Sequence, residues 1–423
     1  MARLEAIGYR CTHDPEVAKA PIAVINTCGF IGDAKEESVN TILQFAERKS
    51  AGELKGLYVM GCLSQRYREE LKAEIPEVDA WFGKFDYEGI VKILETRRPS
   101  CPREPRRPRV LTTPKHYAYV KISEGCNRMC SYCAIPLITG RHQSRPMEEI
   151  LEEVRWLAQE GVKEVNVIAQ DLSSYGLDIV ESRKSKDERH LLPELIDRMA
   201  EVKGIERIRL HYLYPTDFPE EILEVMNRHE NVCKYLDIAL QHCTDHMLGM
   251  MRRHITQQEQ DALIQHIRER VPGICLRTTL MVGHPGETEE DFRALCEWVK
   301  KMRFERMGAF AYSDEEGTYA NKHYKDDIPE EVKQRRLDEL MAIQQDISSD
   351  ILAAQIGKTL RVIIDREEEG YFVGRSEYDS PEVDCEILID KSLCKTPLRV
   401  GEFCMVEITR TEDFDLYAKP IEN

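Results

Sequence analysis

No stretch of this 423-residue chain approaches the roughly eighteen consecutive apolar residues that a membrane-spanning helix needs. The opening residues, MARLEAIGYRC, also lack the basic-then-apolar pattern of a secretory signal. The two absences argue against insertion and secretion and lead us to expect a cytoplasmic protein. An excess of positive charge is missing as well: 59 basic residues stand against 76 acidic ones, a net charge of −17. Such a surface disfavours direct nucleic-acid binding and favours basic partners. Internal repeats and low-complexity blocks are absent beyond a recurring strand–helix alternation.

Cysteine, by contrast, is plentiful, with fourteen residues. In a cytosolic chain, clustered cysteines more often bind metal and scattered ones pack as small hydrophobes. Cys233, Cys243, Cys275, Cys296, Cys385, Cys394 and Cys404 stand singly in apolar or mixed segments and read as packing residues.

Four regions follow from the patterning. Over residues 1–95 the apolar runs IAVIN, LYVMG and VDAWF alternate with helical patterns, which predicts a small open parallel α/β sheet. Cys28 and Cys62 each fall just after one of those strands, on the edge where such sheets place ligands. A helix start beside them offers free N–H groups and a positive dipole end, which suit a thiolate or a cluster sulfide. Residues 96–115, rich in proline and arginine, read as an extended linker in which Cys101 is incidental. Over 116–355 six strand patterns, YAYVKI, EVNVIA, RIRLHYL, YLDIAL, LRTTLMV and MGAFAY, each lead into helix-like sequence. Six βα units predict an incomplete parallel barrel with its chemistry at the carboxyl ends of the strands, followed by a long exit helix from Pro329. Residues 356–423 are strand-rich with frequent turns, as in a five-stranded OB-like barrel.

The barrel's first strand runs into EGCNRMCSYCAIP, with Cys126, Cys130 and Cys133 at C-x3-C-x2-C spacing. Tetrahedral zinc usually takes four N or S ligands, and His116 or His142 offers itself as a fourth. An iron–sulfur cube held by three thiolates instead leaves one iron open to a substrate. The stretch resembles the radical S-adenosylmethionine (SAM) superfamily. That resemblance implies a 4Fe–4S cluster on Cys126, Cys130 and Cys133, with SAM chelating the fourth iron. It also implies that Tyr132 sits near the adenine, and that the loop VGHPGET, through Gly283 and Gly286, lets backbone approach it; read alone, that loop is equally a strand-end turn capped by Thr288. Gln170, Asp171 and Gln241, polar residues at strand ends, are candidates for the methionine part of SAM or for the substrate. No residue is assigned to the chemistry itself.

NTCGFIGDAKEES, GCLSQRY, YLDIALQH, GHPGETEEDF, FAYSDEEGTYA and VGRSEYDSPEVDCEILI extend the likeness over nearly the whole chain. Together they resemble the methylthiotransferases, built of an N-terminal methylthiotransferase domain, a radical SAM core and a C-terminal TRAM domain. NTCGFIGDAKEES, FAYSDEEGT and GRSEYDSPEVD are similar to the type that modifies an aspartate of a small-subunit ribosomal protein. The alternatives are the type that modifies adenosine in transfer RNA, and a zinc-stabilised module that docks a ribosomal protein without redox chemistry. Charge favours the first: residues 356–423 carry 16 acidic and 9 basic residues, a difference of −7, which repels a polyphosphate and attracts a basic ribosomal protein.

The resemblance further implies that one SAM supplies a methyl group to sulfur on an auxiliary 4Fe–4S cluster. A second SAM, with an external electron donor, yields the 5′-deoxyadenosyl radical that activates the aspartate β-carbon. Cys28 and Cys62 match two ligands of the auxiliary cluster. The G-C-x-x-N-like segment that carries a third is missing, and Cys11 stands at the wrong place to replace it. A start trimmed upstream of Met1 is the expected reason, the alternative being an auxiliary cluster held by fewer thiolates.

Overall fold

The computed structural model describes residues 1–13, 20–96, 109–182, 191–412 and 414–421. Most of the proline- and arginine-rich segment, Cys101 included, lies outside the described residues. The chain divides into two compact units. One comprises Met1–Thr112 with Tyr132–Gly140 and Ser313–Lys322, and the other Thr113–Ser131 with Arg141–Tyr312 and His323–Asn423. No helix among the described residues is long and apolar enough to cross a membrane.

The first unit holds a parallel sheet of β1 (Ile22–Thr27), β2 (Gly56–Gly61) and β3 (Ala80–Trp81), in that spatial order. The central strand is buried along its whole length because its alternate side chains enter two different cores. Leu57 and Val59 pack with Ile25, Ile42 and Leu63, while Tyr58 and Met60 pack with Phe82, Ile90 and Leu94.

The second unit is built on six parallel strands: β4 (Tyr117–Lys121), β7 (Glu164–Ile168), β8 (Arg207–Leu213), β9 (Val232–Gln241), β10 (Cys275–Val282) and β11 (Arg306–Ala311). They lie side by side in chain order, as the six expected βα units require. A short pairing of β5 (Ser123–Glu124) with β6 (Gln143–Ser144) closes the base of the loop that carries Cys126 and Cys130. The exit helix runs Glu330–Ala353 behind Pro329. Finally β12 (Thr359–Glu367), β13 (Tyr371–Arg375), β14 (Ile387–Asp390), β15 (Phe403–Glu412) and β16 (Asp415–Pro420) form a closed barrel around Val362, Phe372, Ile387, Val406 and Ile408.

Parallel barrels commonly fill their interior with branched apolar side chains. Here several strand positions carry charge instead, with Glu164, Arg207, Arg209 and Asp237 buried and Arg306 half-buried. Asp237 accepts from Arg277 at 3.3 Å, and the other four find partners in Arg375, the last residue of β13, and in the segment that follows it. Arg375 bonds Glu164 at 3.0 Å, Arg209 donates to the Glu377 carbonyl at 2.6 Å, and Arg306 bonds Asp379 at 2.5 Å. Asp384 accepts from Tyr235 at 2.8 Å and lies 3.5 Å from Arg277. GRSEYDSPEVD is thus a charged plug against the amino-terminal ends of the barrel strands. Asp379 and Asp384 face barrel arginines, so the charge difference of −7 overstates what this domain presents outward.

Candidate iron–sulfur centre and its surroundings

Cys126 and Cys130 lie on the loop that leaves the carboxyl end of β4. Sequence makes that loop a tight one. Met129, between the two thiols, adopts a left-handed backbone with φ of 54°. The Asn127 side chain accepts the His142 N–H at 3.1 Å, and the Ser131 N–H donates to the Met251 carbonyl at 3.0 Å. Both thiols are half-buried, and the Arg128 N–H points at the Cys126 sulfur at 3.5 Å. Burial pushes the Cys126 thiol up to about 11; Asp171 and Cys130 add to the rise and the Arg128 N–H opposes it. Cys133, also half-buried, follows in the segment that belongs to the first unit, just before the helix Ile135–Thr139.

Arg128 and Tyr214 stand beside the first two thiols, the Tyr214 hydroxyl 3.8 Å from the Cys130 sulfur. Arg128 bonds Asp171 at 2.7 Å and Asp217 at 2.8 Å, with its guanidinium 4.3 Å from the centre of the Tyr214 ring. Asp171 is therefore engaged with the cysteine loop itself, and its other oxygen, Oδ1, is buried without a hydrogen-bond partner. Gln241 sits at the end of β9 in a left-handed conformation, with Oε1 buried and unpaired, and Gln170 has an unpaired Oε1 while its amide donates to Glu124 at 3.3 Å. Three acceptors thus remain open on this edge of the sheet, where a ligand bearing an amino group finds partners.

The VGHPGET loop touches the cysteine loop through a residue that sequence reasoning did not single out. Burial lowers His284 to about 4, so the ring is neutral at pH 7. The Pro285 carbonyl at 2.9 Å can only accept, which makes Nδ1 the donor and leaves Nε2 to accept from the Ser131 hydroxyl at 3.1 Å. Gly283 takes a left-handed φ of 72°. A Cβ there would stand 2.4 Å from Cγ of Lys333, so its bareness admits the exit helix. The Gly283 N–H is held by Glu287 at 2.7 Å, and a Cβ on Gly286 would meet Met250. Thr288 caps the following helix with a full capping box, as the turn reading expected. Tyr132 is half-buried within the first unit.

His116 is no ligand for these thiols. It precedes β4, at the opposite end of a strand about 15 Å long, and its Nε2 bonds Asp365 at 2.8 Å. His142 directs Nε2 to Ser144 at 3.1 Å. No three His, Cys, Asp or Glu side chains among the described residues converge tightly enough to hold a single metal ion.

In the first unit, Thr27 pairs with Gly61, so Cys28 and Cys62 are the next residues on neighbouring strands, side by side at the carboxyl edge. Two glycines permit that approach. A Cβ on Gly29 would stand 2.7 Å from the Leu63 nitrogen, and one on Gly61, at φ of 109°, 2.4 Å from the Thr27 oxygen. Cys62 opens the helix Cys62–Glu74, whose Ser64 N–H donates to the Thr27 hydroxyl at 3.4 Å. Arg66 donates to the Gly29 carbonyl at 3.0 Å, and buried Glu315 holds Lys35 at 2.7 Å. Cys11 is half-buried and its thiol is raised by burial.

The family model "Uncharacterized protein family UPF0004" matches residues 1–83, the radical SAM superfamily 120–299, and the TRAM domain 356–421. The ribosomal protein uS12 methylthiotransferase RimO of Bacteroides thetaiotaomicron is 59% identical over 99% of this chain and 93% of its own length. The chain belongs to the RimO family. Relatives of the same name from Porphyromonas gingivalis and Christiangramia forsetii are 57% and 48% identical, over 98% and 100% of this chain and 93% and 90% of theirs. The family carries a 4Fe–4S cluster and SAM, and half-buried thiols that receive the Arg128 N–H at Cys126 and the Arg253 guanidinium at Cys130 fit an anionic cluster.

Proposed function

We propose that this protein methylthiolates the β-carbon of an aspartate in ribosomal protein uS12 in the cytoplasm, using SAM both as methyl donor and as radical source. The observation that carries this reading is the full-length identity to proteins named for that activity, together with the C-x3-C-x2-C loop at the carboxyl edge of a six-stranded parallel sheet. Cys126, Cys130 and Cys133 would hold the cluster, whose chemistry when bound is one-electron cleavage of SAM to a carbon radical.

The chain's own residues position and shield. Arg128 and Asp171 fix the thiol loop, His284 braces it through Ser131, and the open acceptors of Gln170, Asp171 and Gln241 suit the amino group of SAM. Cys28 and Cys62 would hold an auxiliary cluster as the sulfur-delivery site. An external one-electron donor is required. The relatives are named for a ribosomal protein, so the transfer-RNA alternative gains nothing from them.

The test is Cys130→Ala, prepared without oxygen and supplied with reductant, SAM and uS12. Loss of 5′-deoxyadenosine formation and of the methylthio mass gain on uS12 is expected. Undiminished cleavage of SAM by that variant would remove the triplet from the reaction.

A further inference from the structure

Buried arginines are costly unless their charge serves a partner, and Arg253, only 2% exposed, stands against the sulfur of Cys130. Its Nη1 donates to Sγ at 3.4 Å while Nη2 donates to the Ala239 carbonyl. The backbone around it is fixed from several sides. The Arg253 N–H bonds the Leu248 carbonyl at 2.9 Å, and its own carbonyl accepts from the Tyr214 hydroxyl at 3.1 Å and the Thr216 hydroxyl at 3.4 Å. Both flanking residues, Arg252 and His254, take left-handed φ values of 58° and 54°, a conformation that only surrounding structure maintains in non-glycine residues. The guanidinium also stacks 4.0 Å from the centre of the Tyr214 ring, whose hydroxyl lies 3.8 Å from the same sulfur.

We propose that Arg253, aimed by Tyr214, is a positioning residue that donates a charge-assisted hydrogen bond to the Cys130 thiolate and thereby raises the reduction potential of the cluster held there. This rests on the reading that Cys130 ligates that cluster. The sign follows from charge. Accepting one electron from the external donor makes the cluster and its thiolates one unit more negative, and a fixed cation at the sulfur stabilises the more negative state. A latch that only tied the loop after the helix Asp245–Met250 to β9 would need the Ala239 bond and not the sulfur contact.

The full-length protein, reconstituted without oxygen, is compared with Arg253→Met and Arg253→Lys by iron and sulfide content and by an EPR-monitored redox titration. The signal followed is the one that added SAM perturbs, which excludes the auxiliary cluster. We expect Arg253→Met to load iron and to titrate at a more negative potential by at least tenfold in the one-electron equilibrium, about 59 mV, with Arg253→Lys recovering half or more of that shift. An unchanged midpoint in loaded Arg253→Met, or an Arg253→Lys no nearer the parent than Arg253→Met, overturns the proposal. Should Arg253→Met fail to fold, Tyr214→Phe decides: a smaller negative shift supports the proposal, and an unmoved midpoint refutes it. A parent protein without iron would instead overturn the cluster assignment beneath it.

Discussion

Replacing Glu164 by glutamine removes a carboxylate that faces Arg207, Arg209 and Arg375 together, at a position with no solvent exposure. Burial by itself would raise this carboxyl, but the three arginines outweigh it and hold the group at about 2, against an ordinary 4.5. That depression corresponds to about 3 kcal/mol of stability at neutral pH, in line with the roughly 3–5 kcal/mol lost when one partner of a buried ion pair is removed. A depressed carboxylate contributes fully above its unfolded pKa and loses the contribution as pH falls through its folded value. The gap between parent and Glu164→Gln should therefore be flat from pH 6 to 8, narrow to about 2 kcal/mol near pH 3.5 and fall below about 1 kcal/mol near pH 2.5. Hydrogen-exchange protection of the β7 and β8 amides in graded urea reads the strands concerned rather than the whole chain. A neutral-pH difference below about 1 kcal/mol, or one that does not shrink in acid, would refute the idea that this cluster ties the plug to the barrel.

Further tests address the two cysteine sites. Cys62→Ala should leave SAM cleavage intact and stop methylthio transfer to uS12; retained product on mass spectrometry would strike Cys62 from the auxiliary ligands. Gly29→Ala forces a Cβ against the backbone of Cys62 and Leu63, so we expect a destabilisation of about 1–3 kcal/mol and a fall in iron content at the auxiliary site. Unaltered iron and an unaltered Tm would show that the two strand ends need not approach so closely. Gly283→Val puts a branched side chain at a φ of 72° and against the Lys333 stem, so the Tm should fall by several degrees with SAM affinity less affected; a selective loss of SAM binding would support the adenine-approach role for this glycine.

The βα alternation was legible because apolar periodicity is a local property: RIRLHYL and LRTTLMV read as strands and fold as β8 and β10. The five-stranded terminal barrel was equally legible from its turns, and the thiol triplet from its spacing. The partners of the charged strand residues were not legible. RIRLHYL looks like a half-exposed amphipathic strand, since Arg207 and Arg209 sit where solvent-facing residues usually do. The structure instead buries both against Glu164 and the carbonyls of a segment some 170 residues later.

Sequence by itself settled which segments become strands, where the thiols fall relative to them, and the family to which the chain belongs, because strand periodicity, ligand spacing and motif order are all written along one dimension. Only the tertiary structure decided that His284 and Arg253 reach the cysteine loop, that Gly283 makes room for Lys333, and that the acidic GRSEYDSPEVD segment turns inward. Those outcomes depend on which charges and surfaces meet after the strands are laid side by side, and a buried arginine and a solvated one have the same letter until something is packed over them.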